Sequence, residues 1–203
     1  MKEIWFIRHG ESAANAGEVT HAPDSIPLTA KGHKQASEMG NRIERKPELI
    51  IVTPYLRTRQ TAEPTIKKFP DVPLEVWPLH EFDYLSPDQC VGTNLEQRKP
   101  MVKDFWNRCE PNYVQGTGAE SFFEFKNRIF DAFDRLQQAD ANFIIAFVHG
   151  HVMRGILQYV KTQNRIADES AMRYYKLLLE EFEVKNTDIL KCRFESAQWS
   201  IIN

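Results

Sequence analysis

Two short runs of the chain are apolar on both faces, Ile4 to Ile7 and Phe143 to Val148, as the central strands of a parallel sheet must be. Leu49 to Val52 makes a third such run, and Leu74 to Trp77, Ile189 to Phe194 and Gln198 to Ile202 carry a weaker strand pattern. Helical periodicity falls between the runs. Thr29 is placed to cap a helix running to about Ile43. Thr53-Pro54 reads as a cap and first turn, because proline's missing N–H costs nothing at that position. Thr117-x-x-Glu120 reads as a capping box ahead of a helix that aligns Phe122, Phe125, Ile129, Phe133 and Leu136 on one face. That aromatic stripe is predicted to be core. Strands alternating with helices predict an α/β layered fold on a largely parallel sheet.

The stretch from about Phe82 to Gly118 breaks the alternation, mixing Pro, Asp, Asn and Gly around one predicted helix, Arg98 to Arg108. An insertion covering one end of the sheet accounts for it. With no internal repeat, low-complexity tract or linker, residues 1–203 are expected to form one domain carrying a cap-like segment at about 82–118.

Bulk properties narrow the function classes. A chain of 203 residues, 42% hydrophobic and 27% charged, can bury a full core. A net charge of -2 gives no general attraction to nucleic acid or to an anionic membrane, so neither is an expected partner, and any anionic ligand must be captured by a few local cations. No apolar run is long enough to span a bilayer, and Lys2 and Glu3 lead straight into the first strand without a signal peptide. Cys90, Cys109 and Cys192 are odd in number and lack CxxC spacing, which points to a reducing, cytoplasmic compartment and away from a disulfide framework. Oligomeric state leaves no mark on the sequence.

The polar signals sit where strands end, and ligands of open α/β sheets bind beyond the carboxyl ends of strands. Ile7 runs into Arg8-His9-Gly10, Val52 into Thr53-Pro54 and then Arg57, Val148 into His149-Gly150, and Leu79-His80-Glu81 follows the Leu74 strand. Two histidines, two arginines and a carboxylate are therefore predicted to converge on one rim. Gly10 and Gly150 permit close backbone approach, and the helices that follow offer free N–H groups to an anion. The inventory suits phosphoryl transfer: guanidinium groups hold equatorial oxygens, one neutral imidazole attacks phosphorus, the second donates to a phosphoryl oxygen, and a carboxylic acid protonates the departing alkoxide.

Five segments in order, RHGES with Asn15, PLTAKGHKQA, TPYLRTRQTA, GAES and FVHGH, resemble the motifs of the histidine phosphatase superfamily, which includes the cofactor-dependent phosphoglycerate mutases. The resemblance runs along most of the chain. It implies a three-layer α/β/α sandwich with a mostly parallel central sheet, His9 as nucleophile, and Arg8, Arg57 and His149 holding the phosphoryl group. It implies Glu81 as general acid and later base, Asn15 and backbone N–H groups near Gly150 on the substrate side, and no metal or organic cofactor. The expected partner is a small phosphorylated substrate, a phosphorylated side chain included. Where the family often follows its acid with Gly and a Glu-Gly pair, this chain reads EFDYLSPDQCVG, and Asp83 is the alternative acid. Thr53 replaces a commoner serine. The shorter length, without the mutases' longer insertion near the acid, favours a phosphomonoester hydrolase over a mutase.

Other readings remain beside these. His149-x-His151 could form half of a metal site, although neighbouring arginines would repel a cation. A non-catalytic binding domain would be expected to lack one of His9, Arg8, Arg57 and His149, and all four are present. Glu120 reads as a capping-box partner and Arg59 as structural. Arg98, Lys99 and Arg108 form either a solvated helix face or a substrate contact, Arg154 is open between the two, and Tyr84 and Thr93 could shape specificity.

Overall fold

The computed structural model describes residues 1–202. Strands β1 (Lys2–Arg8), β2 (Leu49–Val52), β3 (Leu74–Val76), β4 (Phe143–Val148), β5 (Ile189–Glu195) and β6 (Gln198–Ile202) form one six-stranded sheet in the order β3-β2-β4-β1-β5-β6. The first four run parallel, and β5 and β6 add an antiparallel edge beside β1. Helices are α1 (Ala30–Arg42), α2 (Leu56–Lys68), α3 (Pro87–Cys90), α4 (Leu95–Arg108), α5 (Phe122–Gln138), α6 (Gly150–Thr162) and α7 (Glu169–Glu181).

Alternation along the central strands divides the core in two. Ile4, Phe6, Ile144, Ala146 and Val148 face a large cluster with α5, α6 and α7, which takes in Phe125, Ile129, Phe133 and Leu136 of the predicted stripe. Ile7, Phe143, Ile145 and Phe147 face a smaller cluster with Met39 of α1 and Ala62 of α2. Because consecutive strand residues point to opposite faces, a run apolar throughout needs cover on both, and this is the expected three-layer arrangement.

Element ends differ from expectation in three places. Tyr55, not Thr53, is the N-cap of α2, and it makes no side-chain cap; the Thr53 hydroxyl is drawn to His149 Nε2, 2.9 Å away. The capping box of α5 is Ser121 with Glu124, four residues beyond the predicted Thr117 and Glu120. Glu120 is instead paired with Arg128 at 2.5 Å, a partner eight residues away that the local pattern does not announce. Helix α4 starts at Leu95 rather than Arg98, because Asn94 and Gln97 form a capping box of their own. The short α3 lies inside the segment expected to be an irregular cover, and α7, capped by Asp168, was not anticipated.

Candidate active site

The carboxyl ends of β1 and β4 lie side by side, with Arg8 paired opposite Val148, so His9 and His149 leave the sheet as neighbours. Their ring centroids are 5.2 Å apart, and both residues are buried. His9 Nδ1 donates to its neighbour's carbonyl, Gly10 O, at 2.7 Å. That bond fixes the tautomer and leaves Nε2 as the unprotonated nitrogen, which accepts from Arg57 Nε at 3.2 Å. Burial, and after it the charges of Arg57 and Arg8, push the His9 pKa well below its ordinary value, so the imidazole is neutral.

Gly10 earns its place by contact. A Cβ there would meet the carbonyl oxygen of Gly32 at 2.6 Å, so the loop after β1 and the first turn of α1 approach closer than a side chain permits. Gly150 differs: a Cβ there would make ordinary contacts with Arg154 and Arg8 Nε.

Arg57, on the first turn of α2, is buried and also donates to Pro23 O at 2.7 Å. Arg8 donates to Val184 O at 2.6 Å, while its buried Nε has no partner among the described residues. His149 is held by Thr53 through Nε2, and its buried Nδ1 has no such partner either. Burial, then Arg57 and His9, lower the His149 pKa far below normal. Among the described residues no carboxylate forms an ion pair with Arg8, Arg57 or Arg154. Two neutral imidazoles and unpaired guanidinium groups thus share one end of the sheet, an arrangement that favours an anionic ligand.

Beside them is a cavity of about 370 Å³. Arg8, Asn15, Glu81, Asp83 and Gly150 line it; His9, Arg57 and His149 do not, and they sit next to it through Arg8 and Gly150. Glu81 Oε1 accepts the backbone N–H groups of Phe82 (3.1 Å) and His151 (3.0 Å), the latter on the first turn of α6, and Oε2 accepts none from the described residues. Asp83 is bound instead by the Tyr55 hydroxyl, and burial raises its pKa to about 6. The segment from Phe82 to Val102 contributes Tyr84, Leu85, Leu95, Arg98 and Val102 to the cavity wall. Arg98 spends its guanidinium on Thr20, Thr93 and Cys90, tying that segment to the loop after β1. Lys99 pairs with Glu96 and Arg108 with Asp104 on the exposed face of α4, and Arg59 is exposed.

His149 and His151 are drawn apart chemically: His151 Nδ1 is 2.9 Å from the Tyr175 hydroxyl. Among the described residues no group of three or more His, Cys, Asp or Glu side chains could hold a metal ion. Residues that sequence reasoning passed over are also here. Asn186 donates to His9 O at 3.0 Å and to Asn15 Oδ1 at 3.1 Å. Tyr55 sits edge-on to His149, with Arg57 over its ring. Their only sequence signal is the proximity of Tyr55 to Arg57; nothing marks Asn186.

The sequence model of the histidine phosphatase superfamily (branch 1) matches residues 4–202. An uncharacterized phosphatase, PhoE, from Bacillus subtilis is 28% identical over 160 residues, covering 77% of this chain and 76% of that protein. A probable phosphoglycerate mutase, GpmB, from Citrobacter koseri is 41% identical over 64 residues, 31% of this chain and 30% of its own. Among solved structures, a putative alpha-ribazole-5'-P phosphatase from Escherichia coli superposes with a TM-score of 0.77 at 18% identity, covering 99% of this chain and 94% of that one. A histidine-to-alanine mutant of phosphoserine phosphatase from Entamoeba histolytica, in complex with phosphoserine, gives 0.74 at 20% identity, covering 100% and 96%. At these identities the structural likeness establishes the fold. No helix among the described residues is long and apolar enough to cross a membrane.

Proposed function

Because the chain belongs to the histidine phosphatase superfamily, we propose that it is a phosphomonoester hydrolase working through a phosphohistidine on His9. The observation that carries this reading is the His9 tautomer: Nδ1–H is committed to Gly10 O, so the ring lone pair lies on Nε2, which reaches phosphorus by exchanging its contact with Arg57 Nε–H. A bond forms between Nε2 and phosphorus as the ester P–O bond breaks, and Glu81 gives its proton to the departing oxygen. Water then attacks the phosphohistidine, Glu81 takes the proton back, and the P–N bond breaks to release phosphate and restore His9. Arg8 Nε and His149 Nδ1, buried without partners among the described residues, suit the equatorial oxygens, with Arg57 beside them. Glu81 is the preferred acid over Asp83 because one of its oxygens is anchored and the other is uncommitted, whereas the Asp83 carboxylate is engaged by Tyr55.

The substrate is a small phosphate ester admitted to the cavity beside Arg8. Rapid quenching into alkaline detergent, with an aryl phosphate radiolabelled on phosphorus, tests the mechanism. The wild type should yield base-stable, acid-labile phosphoenzyme, and His9→Ala should yield none and lose activity by about three orders of magnitude or more. Ordinary turnover by His9→Ala would overturn the assignment. The match to a phosphoglycerate mutase favours one comparison: 3-phosphoglycerate with a bisphosphoglycerate primer should give phosphate release faster than isomerisation.

A further inference from the structure

Arg128 projects from α5 toward the segment that follows β3, and all five of its N–H groups are engaged. Nη1 donates to Pro78 O (3.1 Å) and His80 O (2.8 Å), and Nη2 to Glu81 O (3.2 Å). Nε and Nη2 grip Glu120 through both carboxylate oxygens at 2.5 and 2.8 Å. The guanidinium lies over the Phe125 ring, 5.0 Å from its centroid.

This pair differs from the chain's other arginine–carboxylate contacts. The Arg128 and Glu120 side chains are only 12% and 15% exposed, against 45% and 44% for the bidentate pair Arg165–Asp134. A well-solvated pair contributes little, whereas one this enclosed holds its groups in a single geometry. Three carbonyls within four residues, 78 to 81, bend toward one cation, which orders a stretch that has no ladder of its own. The backbone N–H of Glu120 adds a bond to Asp83 O at 2.8 Å. Together these contacts fix the main chain on both sides of the Glu81 side chain, whose carboxylate meets the first turn of α6 through His151 N.

We propose that Arg128, clamped by Glu120, is a positioning residue that sets where the Glu81 carboxyl stands relative to the breaking ester bond. This rests on the reading of Glu81 as general acid. Protonation of the leaving group matters for an alkoxide and hardly at all for a nitrophenolate, so a displaced acid slows the first and spares the second. Lysine keeps the charge but cannot fan five donors, which makes Arg128→Lys the informative substitution.

The test compares wild type, Arg128→Lys, Glu120→Gln and Glu81→Gln on p-nitrophenyl phosphate and on a simple alkyl phosphate, with thermal melts run alongside. Arg128→Lys is expected to lose at least ~10-fold in kcat/KM on the alkyl ester while kcat/KM on the aryl ester stays within about threefold, this ratio reporting phosphoenzyme formation and not the later step in which Glu81 acts as base. Glu120→Gln, which retains one accepting oxygen, should show a smaller loss with the same selectivity, and it serves if Arg128→Lys melts early. Guanidinium ion added to Arg128→Ala should restore part of the alkyl rate. Equal losses on both esters, or none on the alkyl ester, would overturn the positioning role. If Glu81→Gln itself shows no selective loss, the acid assignment fails, and the positioning role with it. An absence of phosphoenzyme in the wild type would strike the proposed function separately.

Discussion

Lys126 is almost fully buried; its ammonium group donates to Gly155 O at 3.2 Å and Gln158 Oε1 at 2.9 Å and lies over the Phe130 ring, 5.2 Å from its centroid, with no carboxylate partner among the described residues. Burial lowers its pKa from 10.5 to about 7. The unfolded chain therefore holds a proton that the folded chain has released between those values, and stability rises with pH through that window. From pH 7 to 9 the contribution is roughly 2 kcal/mol. Urea midpoints at the two pH values should show this rise in the wild type and not in Lys126→Met, which should also be the more stable at pH 7. Parallel pH dependence in the two proteins would mean that the ammonium is solvated. Burial acts in the same direction on His9 and His149: it lowers both pKa values and keeps both imidazoles neutral, so that each ring retains an unprotonated nitrogen. At this scale the candidates His9 and His149 were readable because each follows directly on an apolar strand. Thr53 shows the limit: the residue type suits a cap, and only the fold reveals that its hydroxyl faces His149 from across the β2–β4 pair.

Helices and loops carry the next level. The segment RHGES and helix α1 meet where Gly10 faces Gly32, and a Cβ at residue 10 would intrude on a backbone oxygen that no rotamer can move. Gly10→Ala should cost about 1–3 kcal/mol and lower Tm by about 5 °C, read by calorimetry. Activity should fall more steeply than stability, since Gly10 O is the acceptor that sets the His9 tautomer. A fully active Gly10→Ala would show that the loop relaxes without moving the imidazole. Helix starts were half legible at this scale. Thr117-x-x-Glu120 and Ser121-x-x-Glu124 carry the same pattern four residues apart, and spacing alone does not choose between them. The choice is made by Arg128, which removes Glu120 from the competition from two turns further along α5. The helix ahead of Arg108 was recognised, but its start was placed at Arg98; Asn94 and Gln97 carry the missed signal.

Across the whole molecule the site depends on parts distant in sequence. The turn between α7 and β5 grips the carboxyl end of β1 and the residue after it: Arg8 N donates to Asp188 O at 3.0 Å, Thr187 N to Arg8 O at 3.1 Å, and Asn186 to His9 O. Thr187 adopts a φ of 64°, a left-handed conformation that is costly for a β-branched residue. Asn186→Ala should lower kcat/KM by about 10-fold, with the far-ultraviolet circular dichroism unchanged, because it frees the His9 carbonyl and Asn15 together. An unaltered kcat/KM would show that the two backbone bonds suffice. Sheet class and the convergence of strand ends were legible from apolar runs alone. The order β3-β2-β4-β1-β5-β6 was not, nor was the role of a turn about 180 residues from the histidine it steadies, since no local pattern encodes such a pairing.

The placement of β1 between β4 and β5 has a consequence for biogenesis. Of the six strands β1 is made first, and its two hydrogen-bonding neighbours are made fourth and fifth, one beginning at Phe143 and the other at Ile189. Until then Ile4, Phe6 and Ile7 have no ladder to join, and nascent chains arrested before residue 143 should be clients for hydrophobic-binding chaperones while those released beyond residue 195 are not.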